Sequence, residues 1–431
     1  MTVITQPPAS APALADGETA RVVVRHWRLP IVFAVFSVIA ILLFLVFPRP
    51  GTTVYTFSTK GDFFTVPNVA IPAIATGIVV TVIALVITAV AFVLVARGRS
   101  VPLWLSAIFA VALLVGFITW SVGDGTVPVA GLLAGALGLS VPIIYGAMGG
   151  VLSERVGVVN VAIEGQLLGG AFTSAMLATI THSVVVGLIG AAVAGMIVSF
   201  ILAAFSIKYL VDQVIVGIVL NVLVSGVTGF FYTAVMANNT AAFNLPPTLP
   251  NLPIPLLSQI PVIGPVLFNQ TLIVYVMYIA VAGVYFFLFH TRWGLRVRAV
   301  GEHPKAADTV GIKVNSTRFW TVIIAGAIAG FGGAYFTIGG VGGFVKDMTS
   351  GLGYIALAAV IFGRWDPIRA TLAALLFGFA GALQSLLGLL HAPIPSEFLR
   401  MLPYLVTIFA VAGLVGQSRG PAASGKPYIK S

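Results

Sequence analysis

The chain contains no cysteine, which removes disulfide, thiolate and zinc–cysteine chemistry from its repertoire. Charge is nearly as scarce. Asp, Glu, Lys and Arg make up 8% of the 431 residues, where a soluble domain uses about a quarter. So little charge cannot cover a water-facing surface. What fills the chain instead is apolar: 59% of its residues are hydrophobic and the mean hydropathy is +1.09. Most of it therefore has lipid as its solvent, and a bilayer core calls for apolar runs of about 20 residues. The 47 glycines and 25 prolines fit this reading, because transmembrane helices tolerate both when neighbouring helices satisfy the freed backbone groups.

Other absences narrow the function. The net charge of +10 is spread over many short loops, with no basic stripe interleaved with aromatics, so a nucleic-acid partner is rejected. Gly420 to Pro427 matches G-x-x-x-x-G-K, but Pro427 stands where a Ser or Thr would hold magnesium, and no strand or helix pattern flanks it. Any nucleotide that powers this chain is bound by another subunit. The five histidines lie far apart and nothing resembles a nucleophile elbow, so neither a metal site nor a catalytic residue is expected and the chain reads as a non-enzyme. Acids are rare in the apolar segments. Glu164 and Asp212 stand out in the middle of the chain, both at helix beginnings on the cytoplasmic side, whereas an ion-coupled carrier places ionisable groups near the midplane.

The fold class expected is all-α, a polytopic transmembrane bundle. Apolar segments recur at about 31–47, 70–96, 101–120, 128–151, 161–181, 183–206, 214–236, 271–289, 319–340, 369–390 and 398–416. A shorter one at about 352–363 is re-entrant or a half-helix, which makes the number of membrane segments 11 or 12. Arg97 and Arg99, then Arg292, Arg296, Arg298, Lys305, Lys313 and Arg318, then Arg419, Lys426 and Lys430 mark cytoplasmic stretches. Placing the N-terminus with them requires an even count, and so a kinked crossing by the short segment. Four regions follow: a disordered cytoplasmic tail at 1–29, N-terminal membrane segments at 30–120, a core at 121–416 and a cytoplasmic tail at 417–431. Residues 237–270 carry no charge and many prolines, as either a structured outer cap or a loose connection. Glycines spaced by four, at Gly131 and Gly135, Gly146 and Gly150, and Gly326 and Gly330, predict close helix packing or a thin-walled pathway.

Three stretches carry more specific information. In the first, Ser153 to Gly165, Asn160 is placed to cap a helix beginning at Val161 and Glu164 lies in its first turn, where the helix dipole favours a carboxylate. In the second, Asp212 is placed to cap a helix from Gln213, and Asn221 either bonds a neighbouring helix or faces the pathway. The third runs from Val300 to Ile312. Pro304 suits a first helical position and Gly311 the position just past a helix end, predicting a two-turn helix that either lies on the membrane or docks into another protein.

Together these stretches resemble the permease subunits of ABC importers for nucleosides and simple sugars, a group related to ribose and branched-chain amino-acid permeases. S-E-R-x-G-V-V-N-x-x-x-E-G is similar to one of the two paired permeases of bacterial nucleoside importers. D-Q-V-I-x-G followed by Asn221 is similar to a second family segment, and G-E-H-P-x-A-A-x-x-x-G-I to the loop that contacts the ATPase. The resemblance covers roughly residues 130–415. It implies a multi-pass protein of the cell membrane with a pathway lined by Asn160, Glu164, Gln213 and Asn221. It also implies an ATPase-coupling segment of Glu302, His303, Pro304, Lys305, Ala306, Ala307, Asp308 and Gly311. The implied partners are ABC ATPase subunits carrying ATP and magnesium, a second homologous permease, a substrate-binding lipoprotein and membrane lipid, with no cofactor on this chain. The alternative is an ion-coupled secondary transporter of a similar small polar solute. Bulky residues at Gly311 or Ala307 are expected to uncouple transport and leave the protein folded.

Overall fold

The structure, a computed structural model, describes residues 27–390, seven positions between 392 and 404, and residues 420–429. The N-terminal tail through residue 26 and most of the segment at 398–416 lie outside the described residues.

The helices run in chain order as α1 (Arg28–Ala40, continued by a π-helical turn, Ile41–Val46), α2 (Ala73–Ala96), α3 (Leu103–Val122), α4 (Val129–Arg155), α5 (Ile163–Thr181), α6 (Val184–Ala203) and α7 (Gln213–Phe231). After them come α8 (Thr240–Phe243), α9 (Leu272–His290), α10 (Arg292–Glu302), α11 (Pro304–Thr309), α12 (Val314–Gly333), α13 (Leu352–Phe362) and α14 (Pro367–Leu389). Among the described residues, nine of these, with their π-helical extensions, are long and apolar enough to cross a bilayer: α1 to α4, α6, α7, α9, α12 and α14. The tenth apolar segment forms α5, which is richer in Gly, Ser and Thr and largely buried. Two helices outrun their apolar segments. α4 continues to Arg155 and α12 begins at Val314, because Glu154 and Arg318 are buried inside the protein rather than left to the water.

The chain divides into two compact units. One is drawn from residues up to Pro48 and from Gly77–Gly116, the other from Arg49–Thr76 and from Phe117 onward. The first has its own small core of Phe33, Ala84, Ile87, Ala91, Leu105 and Phe109, with Phe33 and Phe109 stacked at 4.3 Å. A bond of 2.9 Å between the Ser37 and Thr88 hydroxyls joins α1 to α2 inside it.

The second unit contains two small sheets beside its helices. β1 (Thr52–Thr56) pairs antiparallel with β2 (Val69–Pro72) and parallel with β3 (Gly125–Pro128), with Thr53 opposite Ile71 and Gly125. Segment 49–76 thus folds with the larger unit. The Thr53 hydroxyl donates to the Gly123 carbonyl at 2.8 Å, and Arg49 donates to the Ser121 carbonyl at 2.8 Å. β4 (Asn251–Pro253) and β5 (Asn269–Thr271) pair antiparallel within 237–270 and just beyond it. That stretch is therefore structured rather than a loose connection, tied internally by Gln270 and by the Tyr275 hydroxyl on the Leu252 carbonyl at 2.8 Å.

Small residues decide how the core packs. In lipid no hydrophobic gain drives helices together, so close approach and dispersion must. α6 crosses α12 where Gly195 lies against Gly326 and Gly330, with no room for a side chain on any of the three. α4 and α13 run side by side in the same direction: Gly146 faces Ala356, Gly150 faces Val360, and Glu154 accepts from the Trp365 indole N–H beyond the end of α13. The four-residue glycine spacing thus serves helix contact at Gly146, Gly150, Gly326 and Gly330. At eleven residues α13 is about 16 Å long, half of the roughly 30 Å bilayer core.

Candidate functional site

Of the four residues expected along a pathway, Glu164 and Asn221 meet where α5, α7 and α13 join, whereas Asn160 and Gln213 hold the loop that leads into α5. The loop that follows α4 turns inward, with Val156, Val158, Asn160 and Ala162 fully buried, and α5 begins at Ile163 rather than Val161. Its N-cap, Ala162, has no capping side chain, so the expected cap by Asn160 is not made. Asn160 forms a reciprocal amide pair with Gln166, at 3.2 and 3.3 Å, and Gln166 also donates to Ser199 on α6 at 2.8 Å. A buried amide finds its best partner in another amide, which offers donor and acceptor together.

Glu164 does more than sit in the first turn of its own helix. Its carboxylate accepts from the Thr349 hydroxyl at 2.6 Å and from the backbone N–H groups of Gly351 at 2.8 Å and Gly353 at 2.7 Å. It therefore caps α13 across a gap of 185 residues, and the N-termini of two helices converge on one charge. α13 leads from this carboxylate to Trp365 beside Glu154, so Glu164 stands about 16 Å from the end of α4.

Asn221 serves the neighbouring helix. Its carbonyl oxygen accepts from Gly165 N–H at 2.8 Å, and its amide donates to the Val161 carbonyl at 2.9 Å and the Tyr354 hydroxyl at 3.1 Å. Gln213, 3% exposed, accepts from Val159 N–H at 2.7 Å. Asp212 caps α7 as expected, accepting from Val214 N–H at 2.9 Å and Ile215 N–H at 3.1 Å. Asp212→Ala should lower stability by about 1 kcal/mol, the usual loss of a helix cap, read as a small fall in the thermal midpoint of the purified protein.

The second group lies where α4 ends. α10 runs into α11 with Pro304 at its first position. α11 ends with Gly311 N–H donating to the Asp308 carbonyl at 2.9 Å and Ile312 N–H to the Ala307 carbonyl at 3.0 Å. Gly311 has φ +85°, and a side chain added there would meet nothing within 4 Å, so glycine is required by backbone conformation and not by space. Glu302, His303, Lys305, Ala306 and Gly311 are exposed, Pro304 and Asp308 half-buried, and Ala307 is 3% exposed. Bulk at Ala307 would therefore disturb the packing beneath α11, contrary to the expectation that it leaves the fold intact. Gly301 lies against the Arg155 carbonyl with no room for a side chain, which fixes the end of α10 to the end of α4. Arg155 donates to the Trp365 carbonyl at 2.8 Å, and Arg155 and Arg298 both stand over the Phe289 ring.

Four side chains in these groups carry no sequence signal of their own. Gln166, Thr349, Tyr354 and Trp365 complete the contacts from positions that read as ordinary helix or loop. Among the described residues no cluster of His, Asp and Glu could hold a metal ion.

Residues 131–411, most of the second unit, match the family described as the branched-chain amino acid transport system / permease component. The chain belongs to that family. It is 39% identical over 298 residues, 67% of its own length and 93% of the relative's, to the guanosine ABC transporter permease protein NupQ of Bacillus subtilis. It is 38% identical over 309 residues, 70% of its length and 97% of the relative's, to the nucleoside ABC transporter permease protein NupC of Lactococcus lactis. A putative glucose ABC transporter permease protein of Haloferax volcanii, TsgC13, is 34% identical over 59% of this chain and 77% of its own. No solved structure is significantly similar. The family match begins at residue 131, so α1 to α3 and the β1–β2 hairpin lie outside it.

Proposed function

We propose that this chain is the permease subunit of an ABC importer that carries a nucleoside, or a related simple sugar, into the cell. The observation that carries this reading is the identity to two relatives named as guanosine and nucleoside ABC permeases, running over nearly their whole length. On this reading ATP and magnesium are held by partner ATPase subunits, a second homologous permease completes the pathway, and a substrate-binding lipoprotein delivers the solute. The end where α4 meets α10 and α11 faces the cytoplasm, together with the N-terminus, and the cap at 237–270 faces outward.

Three features support the assignment over an ion-coupled carrier. Glu164 is engaged by three donors, and Glu154 by Trp365, so both are committed to holding helices. The exposed face of α11 offers a compact surface to another protein. An open apolar cleft of about 380 Å³ along α7, lined by Val222, Leu223, Gly226, Val227, Phe230 and Phe231, suits cover by the second permease. Asn160, Glu164, Gln213 and Asn221 then act as the joint of the moving helices beside the pathway.

Uptake of labelled guanosine and glucose by cells with and without the gene tests the reading. Nucleoside uptake should vanish without the chain and persist when ion gradients are collapsed; uptake that follows an ion gradient sinks it. Within the coupling segment, Ala306→Trp adds bulk to an exposed position and should cut uptake at least tenfold with an unchanged thermal midpoint. Gly311→Val should cut uptake likewise, with a fall in the thermal midpoint from left-handed strain of about 1–2 kcal/mol. Normal import by Ala306→Trp would remove α11 from the coupling role.

A further inference from the structure

Residues 420–429 are not a loose end. The segment runs along the second unit and touches α10, α12 and Trp365. Gly420 packs on the Trp365 indole, where a Cβ would lie 2.9 Å from the ring. Ala422 N–H donates to the Glu302 carboxylate at 3.2 Å, and Ala423 N–H to the Gly301 carbonyl at 2.9 Å. The Ala423 carbonyl and the Arg318 guanidinium close over Gly157, leaving no space for a side chain there. Arg318, 2% exposed, donates to the Lys426 carbonyl at 3.1 Å. Tyr428, 8% exposed, shares with Asp308 a cleft of about 340 Å³ lined also by residues 311–316.

We propose that residues 420–428 form a strap that fastens α11 to the ends of α4 and α12, and that import depends on it. The inference rests on the coupling reading of α11 but goes beyond it, by assigning a function to a second segment about 110 residues away. Its physical basis is the weakness of α11 alone. Six residues with one buried side chain cannot hold a helix, because nucleation is unfavourable and only tertiary contact offsets it. A push on a loosely held helix would be absorbed locally. The strap grips the chain on both sides of His303, at Glu302 and at Asp308. It ties those points to Gly157 after α4, to Trp365 after α13 and to Arg318 in the first turns of α12. Displacement of α11 is then passed to three helices of the core. The strap also covers Arg318, whose Nη1 donates to it, while Nε and Nη2 have no hydrogen-bond partner among the described residues.

The test uses the complete transporter in membranes, with the chain ended at Arg419 and, as a milder variant, Ala423→Pro, which deletes only the N–H that bonds Gly301. Two quantities are read: hydrogen exchange at the backbone amides of 305–310, and solute imported per ATP hydrolysed. The expected result is at least tenfold faster exchange at 305–310 in both variants, with a fall of at least tenfold in import per ATP for the truncation and a smaller one for Ala423→Pro. Unchanged exchange in both overturns the strap. Faster exchange with normal import per ATP overturns its role in import. Should Ala306→Trp in the full chain import normally, the coupling reading fails separately, and the exchange result still decides whether the strap holds α11.

Discussion

Gly195→Leu is expected to abolish the folded protein, a larger effect than any other substitution named above. Gly195 meets Gly326 and Gly330 where α6 crosses α12, and a Cβ on it would run into the Gly326 carbonyl oxygen and sit 2.8 Å from Gly330 Cα. Backbone atoms cannot rotate aside as a side chain does, so the two helices must separate along their contact. Overpacking a tight core costs about 1–3 kcal/mol and more where nothing can yield; here the obstacle is backbone on both sides. Ser199, one turn on, packs against Gly326 and bonds Gln166, so the disturbance would reach the amide pair at Asn160. Size-exclusion chromatography in mild detergent should show loss of the monodisperse peak. Gly283→Leu is the control. Nothing lies within 4 Å of a side chain at that position, and its peak and thermal midpoint should match the unmodified protein.

Glu164→Ala comes second. It strands three donors at once, the Thr349 hydroxyl and the N–H groups of Gly351 and Gly353. Stranding a buried donor costs about 1–3 kcal/mol. The carboxylate is half-buried and water can reach part of the gap, so a total of roughly 3 kcal/mol is expected. The thermal midpoint should fall by several degrees and uptake should fall with it, because α13 loses its anchor. Glu164→Gln separates holding from any direct contact with solute or ion. Its amide can accept through one oxygen but turns an NH2 towards an N–H, so a holding role predicts a midpoint between those of the unmodified protein and the alanine variant. A glutamine variant with full stability and no uptake would instead make Glu164 a contact in the pathway.

Local relations were legible in the sequence and distant ones were not. Asp212 could be read as a cap because the N–H groups it serves belong to Val214 and Ile215, two and three residues away. Pro304 and Gly311 bounded α11 correctly, since each acts through its own backbone torsions. Glu164 looked like a simple dipole partner because its ligands at 349–353 are remote in the chain. Asn160 looked like a cap because its true partner, Gln166, becomes its neighbour only after the loop turns inward. The β1–β2 hairpin went unread among long apolar runs, since two short strands give little periodicity.

Composition by itself determined that this is a helical membrane protein: with 8% charge and long apolar runs, no water-facing fold is open to it. Motif order pointed to the permease family and to α11, and four-residue glycine spacing announced close helix contacts. Only the tertiary structure decided which helices those glycines join, that Glu164 caps α13 from α5, and that residues 420–429 return to grip α11. The physical reason is the same in each case. Backbone propensity and burial pattern act within a few residues, whereas a hydrogen bond between segments on the order of 100 residues apart exists only once packing has brought them together.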